Sequence, residues 1–185
     1  MPRPQNQDYQ STKDVWLKEA ALHIKDWHAN LPSHHNEREQ LLQKINHSPF
    51  IFPVKVSIYN TGSDPVTFLK WGTPFDANAA VSGVFEVCDT ADGTVLPLDV
   101  LKMSRKLPAS AEDLIEVAGG QVLDNMVELP GIQFQEGHDY SIVTKGIWHA
   151  LWKEPLASVT ESQLADLSGA DRGEFRSNVA LVKIG

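Results

Sequence analysis

The chain has 185 residues, 42% hydrophobic and 22% charged, with a net charge of −8 and one cysteine. That length suits one domain with an appendage, and a core of that size needs no covalent staples. The charge argues against broad affinity for nucleic acid or an anionic membrane, and a lone Cys88 excludes an intramolecular disulfide.

Residues 1–10 are rich in Pro and Gln and are expected to form a disordered tail. They hold no apolar core, so they do not have the form of a signal peptide. No apolar run approaches the roughly eighteen residues of a membrane span. The expectation is a cytoplasmic chain. Ser11-Thr12-Lys13-Asp14 then has the form of a helix start, with Ser11 as N-cap. Trp16, Ala20, Ile24, Trp27 and Leu31 follow at helical spacing on one apolar face. Asn30 and Pro32 end that helix. A second short helix is predicted from Glu37 to Ile45, with Leu41, Leu42 and Ile45 as its apolar side. Residues 11–46 together form a helical extension.

From Phe50 the pattern changes to period two, and residues 50–185 are predicted to form a β-sandwich domain. Val54, Val56 and Ile58 alternate with Lys55, Ser57 and Tyr59. Asn60 to Asp64 supplies the residue types of a turn, and Val66 to Trp71 is the next strand, so the pair reads as a hairpin. Val84 to Cys88 and Thr94 to Pro97 flank Asp92-Gly93, a second hairpin signal. Val100 to Ser104 is a further candidate strand. Leu114, Ile115 and Val117 precede Gly119-Gly120, and Val122 to Leu129 follows, giving strand, turn, strand. Tyr140 to Trp148 is a strand, Thr160 to Leu167 a helical turn or two, and Phe175 with Val179 to Ile184 the closing strand. Seven or eight short strands with frequent turns give a mainly β fold, an immunoglobulin-like antiparallel sandwich preceded by the helical extension.

Several of these pieces, in order, resemble a known family. They are Asn60-Thr61-Gly62 with Leu69-Lys70-Trp71-Gly72-Thr73-Pro74, then Val84-Phe85-Glu86-Val87, then Arg105, Pro108 and Glu112-Asp113 before Leu114-Ile115. Gly119-Gly120-Gln121-Val122, Tyr140-Ser141-Ile142 and Phe175-Arg176-Ser177-Asn178-Val179 complete the series. From about Val54 to Ile184 the chain resembles the N-terminal pro-domain of fungal deuterolysin-type zinc metalloproteases. The resemblance implies a β-sandwich that assists the folding of a protease and holds it inactive. The protease itself is not implied. Its zinc site needs His-Glu-x-x-His on a helix, and the nearest string here, His34-His35-Asn36-Glu37, has neither the order nor the spacing.

No other catalytic pattern stands out: there is no Gly-x-Ser-x-Gly, Walker-type loop or dinucleotide fingerprint. No cofactor or metal is expected. His23 and His28 are five apart, about 140° around a helix, which does not favour joint chelation. The aromatic residues are the candidate binding set: Trp16 and Trp27 on the first helix, Trp71 at the end of the hairpin, and Trp148 and Trp152, which would share one strand face or one helical side. They either fill the contact between helix and sandwich or form an aromatic surface for a partner. The expectation is a non-catalytic binding protein whose partner is a protein, with a metalloprotease as the implied case. The alternative is a small-molecule or lipid-binding module with a tryptophan-lined cavity between helix and sheet.

Overall fold

The computed structural model describes residues 20–23 and 51–184. Among them nine strands form two antiparallel sheets. One sheet holds β1 (Ala20–His23), β2 (Ile51–Tyr59) and β6 (Val122–Pro130), in the order β1-β2-β6. The other contains β3 (Val66–Leu69), β4 (Phe85–Asp89), β5 (Leu114–Val117) and β7 (Asp139–Trp152), in the order β4-β7-β3-β5. Two further strands, β8 (Asp171–Arg176) and β9 (Ala180–Lys183), also pair with β7. Because Tyr140–Ile142 pair with both β4 and β9, those strands lie on opposite edges of β7.

The mainly β, immunoglobulin-like sandwich is what the alternation of β-branched and aromatic residues dictates. Successive side chains of a strand point to opposite faces. Phe52, Val54 and Val56 of β2 are buried while Ile51 and Tyr59 are exposed, and β6 buries Val127 and Leu129 while Met126 and Glu128 face outward. These residues meet Phe85 and Val87 of β4 and Tyr140 and Ile142 of β7 in one inter-sheet cluster. Each such side chain contributes about 1.5–3 kcal/mol relative to exposure.

A second apolar cluster lies apart from the first. Leu69, Trp71, Leu114, Ala150 and Trp152 pack against Ala109 and against Leu164 of α1 (Glu161–Asp166). Thr160 caps that helix: its hydroxyl accepts from the Gln163 N–H at 3.3 Å, and the Gln163 side chain accepts from the Thr160 N–H at 2.8 Å. Strand β3 is buried along its whole length because both of its faces are covered. Val66 is buried, Phe68 belongs to the inter-sheet cluster, Leu69 to the second cluster, and the Thr67 hydroxyl donates to Glu154 O at 2.8 Å.

Four expectations need correction. The helix predicted from Ser11 to Leu31 does not include Ala20–His23, which pair with Ile58, Ser57, Val56 and Lys55. Ladder hydrogen bonds to the edge of β2 there outweigh the helix propensity of Ala-Ala-Leu. The rest of that helix, the predicted helix from Glu37 to Ile45 and the tail at residues 1–10 lie outside the described residues. The predicted hairpin of β2 and β3 is not one, since the two strands belong to different sheets. Val100 to Ser104 is exposed and forms no strand. The turn at Asp92-Gly93 does form, with the Asp89 N–H donating to Thr94 O at 2.8 Å, but its second arm is reduced to the single bridge Cys88–Val95.

Candidate functional site

The segment Asn60 to Asp64 carries the chain from one sheet to the other, and Ala118 to Gln121 carries it back from β5 to β6. The two arches lie against each other, and Asn60 joins them. Its N–H donates to Gln121 O at 3.0 Å, and its carbonyl accepts from the Gly120 N–H at 2.9 Å. Its side-chain amide donates to Asp64 O at 2.8 Å and Val117 O at 2.9 Å, and Oδ1 accepts from the Gly62 N–H at 3.0 Å. Asn60 is buried and its side chain is fully used, as a buried amide requires. Gly119 permits the close stacking: a Cβ there would lie 2.1 Å from Ser63 O and 2.3 Å from Ser63 C.

Beside these arches the sandwich opens into a small depression. Residues 58–61 form one wall, and Phe68, Trp148 and Leu151 form much of the other. Its volume is about 40 Å³, far below the several hundred Å³ of a pocket for a drug-sized ligand. Trp148 meets Phe68 edge-on at 5.0 Å and Phe175 at 4.9 Å between ring centroids. Its indole N–H is buried and, like that of Trp71, has no hydrogen-bond partner among the described residues.

The structure separates the expected tryptophan set. Trp16 and Trp27 lie outside the described residues. Trp148 belongs to the inter-sheet core, whereas Trp71 and Trp152 belong to the second cluster. The expectation that Trp148 and Trp152 share a face fails because the β7–β8 register shifts between Trp148 and Leu151. A bulge of this kind re-aims every side chain beyond it. Trp152 is 2% exposed, and its N–H donates to Ser168 O at 3.0 Å. Both Trp71 and Trp152 are packing residues here, with little surface left to offer a ligand.

Above Trp71 sits Arg105, its guanidinium 5.8 Å from the ring centroid. Arg105 Nη2 donates to both carboxylate oxygens of Asp76 at 2.7 Å. The Asp76 side chain is only 2% exposed and also accepts from the N–H groups of Asn78 at 2.9 Å and Gly72 at 3.2 Å. A buried carboxylate persists when it is paired and hydrogen-bonded in this way. Sequence reasoning missed this pair. The two residues are 29 positions apart in irregular chain, so no periodicity joins them. Asn60 was seen as a turn residue, and its second role as the link between arches has no local signal.

A third polar contact joins His138 Nδ1 to Asp89 Oδ2 at 2.5 Å, with the imidazole stacked near Tyr140. The backbone N–H of Ala91 and the His138 ring hold the Asp89 carboxyl below the usual carboxylate range. Among the described residues, no three His, Cys, Asp or Glu side chains gather to hold a metal ion, and no helix is long and apolar enough to cross a membrane. The side chains of His23, His28, His34, His35 and His47 fall outside the described set.

A family model described as an immunoglobulin-like domain matches residues 39–184. A protein of the fungus Arthroderma benhamiae, described as an uncharacterized secreted protein, is 39% identical over 129 residues, covering 68% of this chain and 65% of the relative. The chain thus spans less than two thirds of that relative's length. Neither description names a metalloprotease pro-domain. That relative is secreted, which overturns the cytoplasmic placement drawn from the polar N-terminus. A single thiol and a Pro- and Gln-rich N-terminal segment carry little information about compartment, because one cysteine forms no intramolecular disulfide from which a compartment could be read.

Proposed function

The chain belongs to the immunoglobulin-like domain family, and we propose that it is a non-catalytic binding protein that meets a protein partner through its surface. The implied case is inhibition or folding assistance of a deuterolysin-type metalloprotease, as the resemblance of residues 54–184 suggests. The observation that carries this reading is the packing of the described residues. Among them, two apolar clusters occupy the space between and beside the sheets, and the depression at the arches holds only about 40 Å³. That part of the molecule offers more outer surface than ligand-sized cavity, which supports action through what it presents outside. The secreted relative supports a partner met outside the cell.

The competing small-molecule reading rests on the unspent indole N–H of Trp148 at the depression. The volume favours a water or a single small group there over a lipid. The test is a titration of the full chain against deuterolysin-type enzymes, reading proteolysis and complex formation together. The expected result is a saturable loss of activity with a stable complex. Full activity and no complex at micromolar chain would remove the metalloprotease from the reading.

A further inference from the structure

The longest irregular stretch between described strands joins β4 to β5, and its middle has an unusual make-up. Every residue from 99 to 108 is exposed. Four large apolar side chains lie there in the open: Val100 at 56%, Leu101 at 61%, Met103 at 38% and Leu107 at 47%. Single exposed apolar residues need no explanation, but a contiguous group of them marks a contact surface.

Charge adds a second, independent observation. Residues 51–184 hold ten Lys and Arg against eighteen Asp and Glu, a net of 10 − 18 = −8. Residues 99–107 hold Lys102, Arg105 and Lys106 against Asp99 alone, 3 − 1 = +2. Three of the ten cations of residues 51–184 thus lie beside four of its exposed large apolar side chains. Arg105 is committed to Asp76, whereas Lys102 and Lys106 pair with no carboxylate among the described residues.

The segment is also held in place. The Leu101 N–H donates to Val81 O at 2.8 Å, Arg105 is fixed on Asp76 over Trp71, and the Ala109 N–H donates to Leu164 O at 3.0 Å. Three anchors in nine residues reduce the ordering entropy that a free loop would lose on binding. Arg105 acts as a positioning residue: its ion pair holds the strap while its two lysine neighbours stay available.

We propose that residues 100–107 form a strap that docks an acidic protein partner, with Leu101 and Met103 entering an apolar groove and Lys102 and Lys106 meeting carboxylates on its rim. The proposal rests on the binding reading above and gives that reading a surface. A protein whose carboxylates are confined to the rim of one groove is favoured over an anionic bilayer, because a plane of negative charge would also face, and be repelled by, the rest of this strongly negative domain.

The test uses the full chain and a synthetic peptide of alternating Glu and Leu, with a Lys/Leu peptide and phosphatidylserine vesicles as comparison probes. The Glu/Leu peptide is expected to bind, and K102E/K106E to weaken it by about tenfold, with the unfolding midpoint unchanged. L101S/M103S should weaken it similarly and leave the salt dependence in place. Equal affinity for the Lys/Leu peptide, tighter binding to the vesicles, or indifference to both double variants would each overturn the strap. A metalloprotease complex that survives K102E/K106E also removes the strap yet leaves the binding reading standing. Peptide docking without any metalloprotease complex supports the strap and removes the metalloprotease.

Discussion

The two apolar clusters of this domain are built by different means. The inter-sheet cluster draws alternate residues from strands of both sheets, so each contributing strand shows a buried and an exposed set. The second cluster draws Leu69 from β3, Leu114 from β5 and Ala150 and Trp152 from β7, and closes them with irregular chain and the short helix α1. The strands β3, β5 and β7 contribute to both. On β7 the bulge after Trp148 does the division: Trp148 and Leu151 pack on the first cluster, Ala150 and Trp152 on the second. Regular pairing makes one core, and a break in regular pairing makes the other possible.

The sharpest way to break the first cluster is at the arches that join its sheets, without touching an apolar side chain. Gly119→Ala would set a methyl 2.1 Å from Ser63 O, and the neighbour is backbone, which cannot rotate away. The arches must part, and with them the five hydrogen bonds centred on Asn60. The expected loss is about 3–5 kcal/mol, read by urea unfolding with tryptophan fluorescence. A loss below about 1 kcal/mol would show that the arches merely accompany the sandwich.

How much of each cluster could be read in the sequence follows from the same difference. β2 and β6 keep one face in solvent, so Phe52, Val54, Val56 and Leu129 announce themselves by period two. β3 is covered on both faces and reads as the run Val-Thr-Phe-Leu, which signals burial without saying against what. Trp71 and Trp152 were visible as aromatic residues, but their meeting depends on a bulge and on chain 105–113, and neither has a local code. The turn residues of Asn60 to Asp64 were legible as a turn. Whether a turn closes a hairpin or crosses between sheets is decided by the partners of the flanking strands, β6 and β1 for β2, β5 and β7 for β3. The strap was not legible: Val100 to Ser104 reads as a strand until the structure shows it exposed, with no ladder to join among the described residues.

A middle-sized effect separates the clusters directly. Leu164 is the buried residue of α1, and its carbonyl receives the Ala109 N–H. Leu164→Ala should cost about 2–3 kcal/mol. If the second cluster opens as its own unit, amide exchange should accelerate in residues 105–113 and 153–170 while β2 and β6 stay protected. Equal acceleration in β2 and β6 would show that β3 and β7 weld the two clusters into one cooperative block.

The smallest expected effect concerns pH, and it tests the end of β7 that belongs to the first cluster alone. Asp89 lies on β4 and reaches His138, just before β7 begins. Its carboxyl is held below the usual 3.8 by the Ala91 N–H and then by His138. A carboxyl depressed in the folded state stabilises fully above its unfolded value and loses that contribution as pH falls through the folded one. The domain should therefore weaken below about pH 4. Other acids weaken it there too, Asp166 with its Ser168 hydrogen bonds among them, so the informative quantity is a difference. Asp89→Asn keeps an acceptor for the Ala91 N–H and removes the titration. Its unfolding midpoint should fall less steeply than that of the unaltered chain between pH 4 and pH 2. Parallel curves would mean that the His138 contact is present but contributes nothing to stability, and would leave the bulge, rather than this ion pair, as the feature that fixes β7 between the two clusters.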